Sequence, residues 1–85
     1  MARQRGHSVA SEAASYKLSR SEWLDLVNEW LNNERDRYIV IRHVLDGVTY
    51  EKLNKELEAM GQYELSNRQF SRIISKSFDI LEKHI

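Results

Sequence analysis

Residues 65–85 read LSNRQFSRIISKSFDILEKHI, and the reading of this stretch decides the fold. Ser66 and Gln69 stand three apart, the spacing at which each side chain bonds the other's free backbone N–H in a capping box. Leu65 and Phe70 occupy the flanking staple positions, where an apolar contact fixes the entry of the chain into a helix. Beyond the cap, Phe70, Ile73, Ile74, Phe78, Leu81 and Ile85 recur at helical spacing and form one apolar stripe. A helix is therefore predicted over about 66–83, and the segments upstream yield to the same signals.

Thr49 is the expected cap of the preceding helix, with Val48 and Leu53 in staple positions. Tyr50, Leu53, Leu57 and Met60 supply its expected buried stripe, and Gly61 its stop, which gives a helix over about 49–61. A second helix is predicted over Glu34–Leu45, capped by Asn33 and ended by Gly47. Tyr38, Ile41, Val44 and Leu45 line its expected core side, and Ile39 and Val40 widen it. The first helix starts near Ser19, where Ser19 and Glu22 form a second capping box and Leu18 and Trp23 a second staple. Trp23, Leu26, Val27, Trp30 and Leu31 follow at i, i+3, i+4, i+7 and i+8. No run alternates with period two long enough to suggest a strand.

The composition agrees. Proline and cysteine are absent and glycine occurs three times in 85 residues, so the breakers a many-turned β fold needs are missing. Without cysteine there is no disulfide framework, thiolate metal site or cysteine nucleophile. Hydrophobic residues at 41% and charged residues at 31% fit an ordered domain, and the length fits one domain. The expected class is all-α: a four-helix domain over 18–85 behind a flexible basic tail, 1–17. The apolar runs are too short to span a membrane. The basic residues at the start precede no apolar segment, so a signal peptide is not expected and the expected setting is cytoplasmic.

Thirteen Lys+Arg balance thirteen Asp+Glu, but unevenly along the chain. Residues 21–33 carry Glu22, Asp25 and Glu29 without a base. Residues 65–78 carry Arg68, Arg72 and Lys76 without an acid. At about 100° per residue these three cations stack along one side of the last helix, opposite the apolar stripe. Ser71 and Ser75 flank them.

Two helices joined by a Gly-containing turn, the second with a basic outer face, describe a helix-turn-helix. The stretch ERDRYIVIRHVLDGVTYEKLNKEL, with LSNRQFSRIISKSFDILEKH after it, resembles DNA-binding region four of bacterial sigma factors. Leu45, Gly47, Thr49, Tyr50, Leu53, Leu57, Leu65 and Ser66 carry that likeness. Residues 22–85 resemble still more the small sigma-like proteins of phages and mobile elements of Gram-positive bacteria, which also open on a Trp-containing helix followed by NERDR. One departure stands out. Seven residues, Glu58–Glu64, separate Leu57 from Leu65, where the family pattern usually has one.

The resemblance implies double-stranded DNA as ligand, promoter-like recognition, control of transcription, and contact with RNA polymerase. The residue types suit that ligand. Arg bonds guanine bidentately, Asn and Gln pair with adenine, and Ser and Lys hold phosphates. Arg68, Gln69 and Arg72 are expected to face bases; Ser66, Asn67, Ser71, Ser75 and Lys76 are expected to face the backbone or flanking bases. Arg3 and Arg5 are candidates for a basic DNA arm. A regulator acting alone is expected to dimerise, because two half-sites raise affinity.

A second reading belongs to a different class. Here the same scaffold is a protein-binding module, and the acidic first helix with Trp23 and Trp30, joined by Tyr63 in the long turn, docks a host protein or nucleoprotein. Catalysis is not expected: His7, His43 and His84 are scattered, no nucleophile motif surrounds a serine, and no Gly-rich phosphate loop occurs. No cofactor and no metal are expected.

Overall fold

The computed structural model describes residue 13 and residues 16–85. Among these, the regular elements are all helical. They are α1 (Arg20–Trp30), α2 (Glu34–Val40), α3 (Tyr50–Ala59) and α4 (Asn67–Glu82), with a π-helical segment, Ile41–Leu45, continuing α2.

Each helix start follows from a local side chain. Ser19 and Ser66 form complete capping boxes with Glu22 and Gln69. Asn33 and Thr49 accept from the amides of Asp36 and Lys52. These caps satisfy donors that have no partner inside the helix. The end of α3 is equally local. Gly61, at φ +78°, turns the chain so that the Gln62 amide reaches the Leu57 carbonyl and the Gly61 amide reaches the Glu58 carbonyl. This double closure is the Schellman motif, and its left-handed residue favours glycine. The seven residues between Leu57 and Leu65 thus divide into the last two of α3, Glu58 and Ala59, and five of the connection that follows.

The core has two centres. In the first, Trp23 and Val27 of α1 and Leu31 at its C-cap meet Val40, Phe78 and Leu81. Ala13 and Tyr16, within the expected tail, pack there as well. Tyr16 lies edge-on to Trp23 and donates its hydroxyl to Glu82. In the second centre, Ile39, Val48, Leu53 and Leu57 meet Leu65, Phe70 and Ile74. The long α4 joins the two: its N-terminal half packs with α3 and its C-terminal half with α1.

Several expectations about α2 and its neighbours need correction. The predicted continuous helix over Glu34–Leu45 gives way after Val40 to a wider turn, in which the Asp46 amide reaches back five residues to the Ile41 carbonyl. Two tertiary demands accompany the widening. The Val48 amide folds back onto the Arg42 carbonyl at 2.9 Å, while the Arg42 guanidinium reaches across to Glu56 of α3 at 2.8 and 3.1 Å. The core side of α2 is also shifted: Ile39 and Val40 are buried, one in each centre, whereas Tyr38, Ile41, Val44 and Leu45 are half-buried around them. Met60 leaves the expected stripe because it sits in the cap of α3, and it is exposed. Ile85, beyond the end of α4, is exposed too.

Polar contacts tie the elements together. Glu56 accepts from Arg42 and from the Tyr38 hydroxyl, the latter at 2.6 Å. Asp46 accepts from Arg42 at 3.2 Å and from Arg20. These bonds hold Glu56 down at about 2, with Arg42 the main cause and Tyr38 the second. No helix among the described residues is long and apolar enough to cross a membrane.

Candidate nucleic-acid interface

The α4 cap sets where the outward face begins. Ser66 Oγ accepts from the Gln69 amide at 3.2 Å, and Gln69 Oε1 accepts from the Ser66 amide at 2.8 Å. The Gln69 carbonyl oxygen is therefore committed to the cap, and its side-chain NH2 is the part left to contact a base. Bidentate pairing of Gln69 with adenine would require the cap to open.

What holds this helix start against α3 is Asn54. Its side-chain NH2 donates to the Leu65 carbonyl and its Oδ1 accepts from the Leu65 amide, both at 2.9 Å. Both backbone groups of a residue at the end of the long connection are thus satisfied by one amide of α3. Tyr50 adds a ring stacked on Phe70 at 4.8 Å. On its other side Tyr50 meets His43, whose Nδ1 lies 2.8 Å from the Val48 carbonyl. Since a carbonyl only accepts, that nitrogen carries the proton. Asn54 was not singled out in the sequence. The available signal was an Asn inside a helix, where its short amide usually finds a specific partner.

The structure brings most of the expected residues onto one exposed arc. Ser66, Asn67, Arg68, Gln69, Ser71, Arg72 and Lys76 are exposed and Ser75 is half-buried. Arg68, Arg72 and Lys76 rise along the arc as the projection requires, and none of them bonds or pairs with another described residue. Asp79 follows one turn beyond Lys76 and ends the acid-free stretch. Arg3 and Arg5 lie outside the described residues. Among the described residues, no group of three or more His, Asp and Glu side chains is placed to hold a metal ion.

The two tryptophans separate. Trp23 is a core residue packed on Phe78 at 5.8 Å. Trp30 is 39% exposed, with its ring stacked on His84 at 3.5 Å and 3°. Tyr63, at 89% exposure, projects from the α3–α4 connection.

Beside the arc lies a cleft of about 450 Å³, between the α1–α2 turn and α4. Arg72 and Lys76 form its α4 edge; Asn32, Asn33, Arg35 and Asp36 face them, and Trp30 lies on its wall. The sequence reading did not foresee Arg35 here, because acids and bases alternate around it and give the segment no distinct charge.

Comparison with protein-family models, with curated proteins and with solved structures finds no match.

Proposed function

We propose that the chain binds double-stranded DNA through a helix-turn-helix made of α3 and α4, with α4 entering the major groove, and that it regulates transcription in the manner of sigma region four. The observation that carries this reading is the arc of Arg68, Arg72 and Lys76, unpaired among the described residues and exposed along one side of a helix. Its polar first turn, Asn67, Arg68 and Gln69, has the donors and acceptors that read base edges. The Asn54–Leu65 clamp supports the reading from the other side, because it fixes the start of α4 on α3 despite the long connection.

With three arc cations, a monomer neutralises few phosphates, so binding is modest and its salt dependence shallow, about 40-fold between 50 and 200 mM salt for three phosphates. Fluorescence anisotropy against a pool of short random duplexes tests this, at low and physiological salt, with Arg68→Glu alongside. Loss of binding in the variant at unchanged helix content is expected. An unchanged affinity would sink the reading.

One observation favours the protein-binding alternative. Trp30 and Tyr63 are exposed aromatic surface, and Glu22, Asp25 and Glu29 are exposed on the same helix as Trp30. Under that reading Arg68→Glu leaves the protein's partner bound while Trp30→Ala releases it.

A further inference from the structure

The strongest feature outside the base-reading turn is the cleft between the α1–α2 turn and α4. Its charge is lopsided: Arg35, Arg72 and Lys76 line it against one carboxylate, Asp36. That carboxylate pairs with Arg35 and leaves the lining with an excess of two positive charges, three cations against one acid. The nearest contact is from Arg35 Nη2 to Asp36 Oδ1 at 3.5 Å, at the edge of hydrogen-bond range. Arg72 and Lys76 have no bonded partner among the described residues. Most telling is Arg35 Nε, which is buried and without a hydrogen-bond partner among the described residues. A buried donor left unsatisfied is costly, and most such groups in folded proteins find a partner. That donor is satisfied if the guanidinium, on a side chain that is 37% exposed, turns its edge into the cleft, where its paired N–H groups match two oxygens of a tetrahedral oxyanion.

We infer that this cleft is a phosphate-binding site, with Arg35 as its anchor and Arg72 and Lys76 as its second wall. The phosphate has two chemical sources. One is a diester of the DNA strand flanking the groove, an assignment that rests on the DNA reading above. The other is a free phosphorylated small molecule, for which Trp30 offers an apolar wall. In the first case the α1–α2 turn extends the footprint beyond α4. In the second, a small anion and the duplex compete for Arg72 and Lys76, which belong to the arc and the cleft at once.

The test follows the Arg Nε–H resonances of ¹⁵N-labelled protein, titrated separately with inorganic phosphate and with a short duplex at constant ionic strength. The Arg35 resonance is expected to shift saturably, and Arg35→Gln to weaken binding of the effective probe about tenfold. Arg35→Lys retains the charge but lacks the Nε donor, so it is expected to recover only part of the loss. A shift with phosphate assigns the free anion. A shift with the duplex alone assigns the strand. An Arg35 resonance that neither probe moves overturns the site. If the duplex moves Arg68 and not Arg35, the cleft fails and the DNA reading stands. If phosphate moves Arg35 and no duplex moves either residue, the site stands and the DNA reading fails.

Discussion

Asn54 holds Leu65 by both its backbone groups, two hydrogen bonds of 2.9 Å from a single side-chain amide. Neither residue belongs to a charged face, yet this pair sets how α4 leaves α3. Asn54→Ala leaves the Leu65 N–H and C=O without their partner in a part-buried setting, which costs about 1–3 kcal/mol. Urea unfolding is expected to show that loss, with Lys55→Ala, exposed on the same helix, within about 0.5 kcal/mol of wild type.

Gly61 separates backbone strain from crowding. A Cβ built there would meet nothing within 4 Å, while its φ is +78°. Gly61→Ala is therefore expected to cost about 1 kcal/mol through the left-handed backbone alone. Gly61→Asn should cost less, since Asn tolerates that region. Equal midpoints for the two variants in denaturant would contradict this.

Acid sensitivity follows from Glu56. In the folded chain Arg42 and Tyr38 hold it at about 2, against 4.5 in the absence of these contacts. Between those values the unfolded chain takes up the proton and the folded chain does not, so protonation favours unfolding. The contribution is complete above 4.5 and is lost as pH falls toward 2. Asp46, lowered chiefly by Arg20, and Glu22, lowered chiefly by the Ser19 amide, act in the same direction. Melting temperature is expected to drop through this window, and Glu56→Gln to flatten the drop while lowering the plateau at neutral pH. At the alkaline end the sign reverses. The bond to Glu56 raises Tyr38 above 10, so its share of stability is lost as pH climbs past that value.

Phe78 completes a triangle of rings with Tyr16 and Trp23 and is fully buried. Phe78→Ala is expected to cost about 3–5 kcal/mol, a large part of the 5–15 kcal/mol that holds a typical domain together. Thermal unfolding followed by circular dichroism measures it. Ile80→Ala, on the exposed side of the same helix, should shift the transition far less.

Helix starts were legible in the sequence because a cap is local chemistry. Ser19 with Glu22, Asn33, Thr49, and Ser66 with Gln69 each satisfy an amide three residues away, and nothing distant can overrule them. The side of α2 that enters the core was not legible. Six of the eight residues from Tyr38 to Leu45 are apolar or aromatic, so no helical period stands out among them, and burial was settled by two separate cores pulling on Ile39 and Val40. The π-helical turn escaped for a related reason: its contacts, Arg42 to Glu56 above all, cross between elements. On the outward face, spacing alone placed Arg68, Arg72 and Lys76 together. It could not place Arg35 opposite two of them, since that juxtaposition depends on how the α1–α2 turn lies against α4.

The unlike settings of the two indoles give the molecule a pair of built-in optical reporters. Trp23, sealed against Phe78 and Tyr16, emits from an apolar environment and reddens only when the core opens. Trp30, half in solvent on the cleft wall and in ring contact with His84, is expected to emit further to the red, with an intensity that depends on that stack. With Trp30→Phe the remaining emission is expected to follow opening of the core, and with Trp23→Phe the surface beside the cleft, so an intrinsic signal reports on each place.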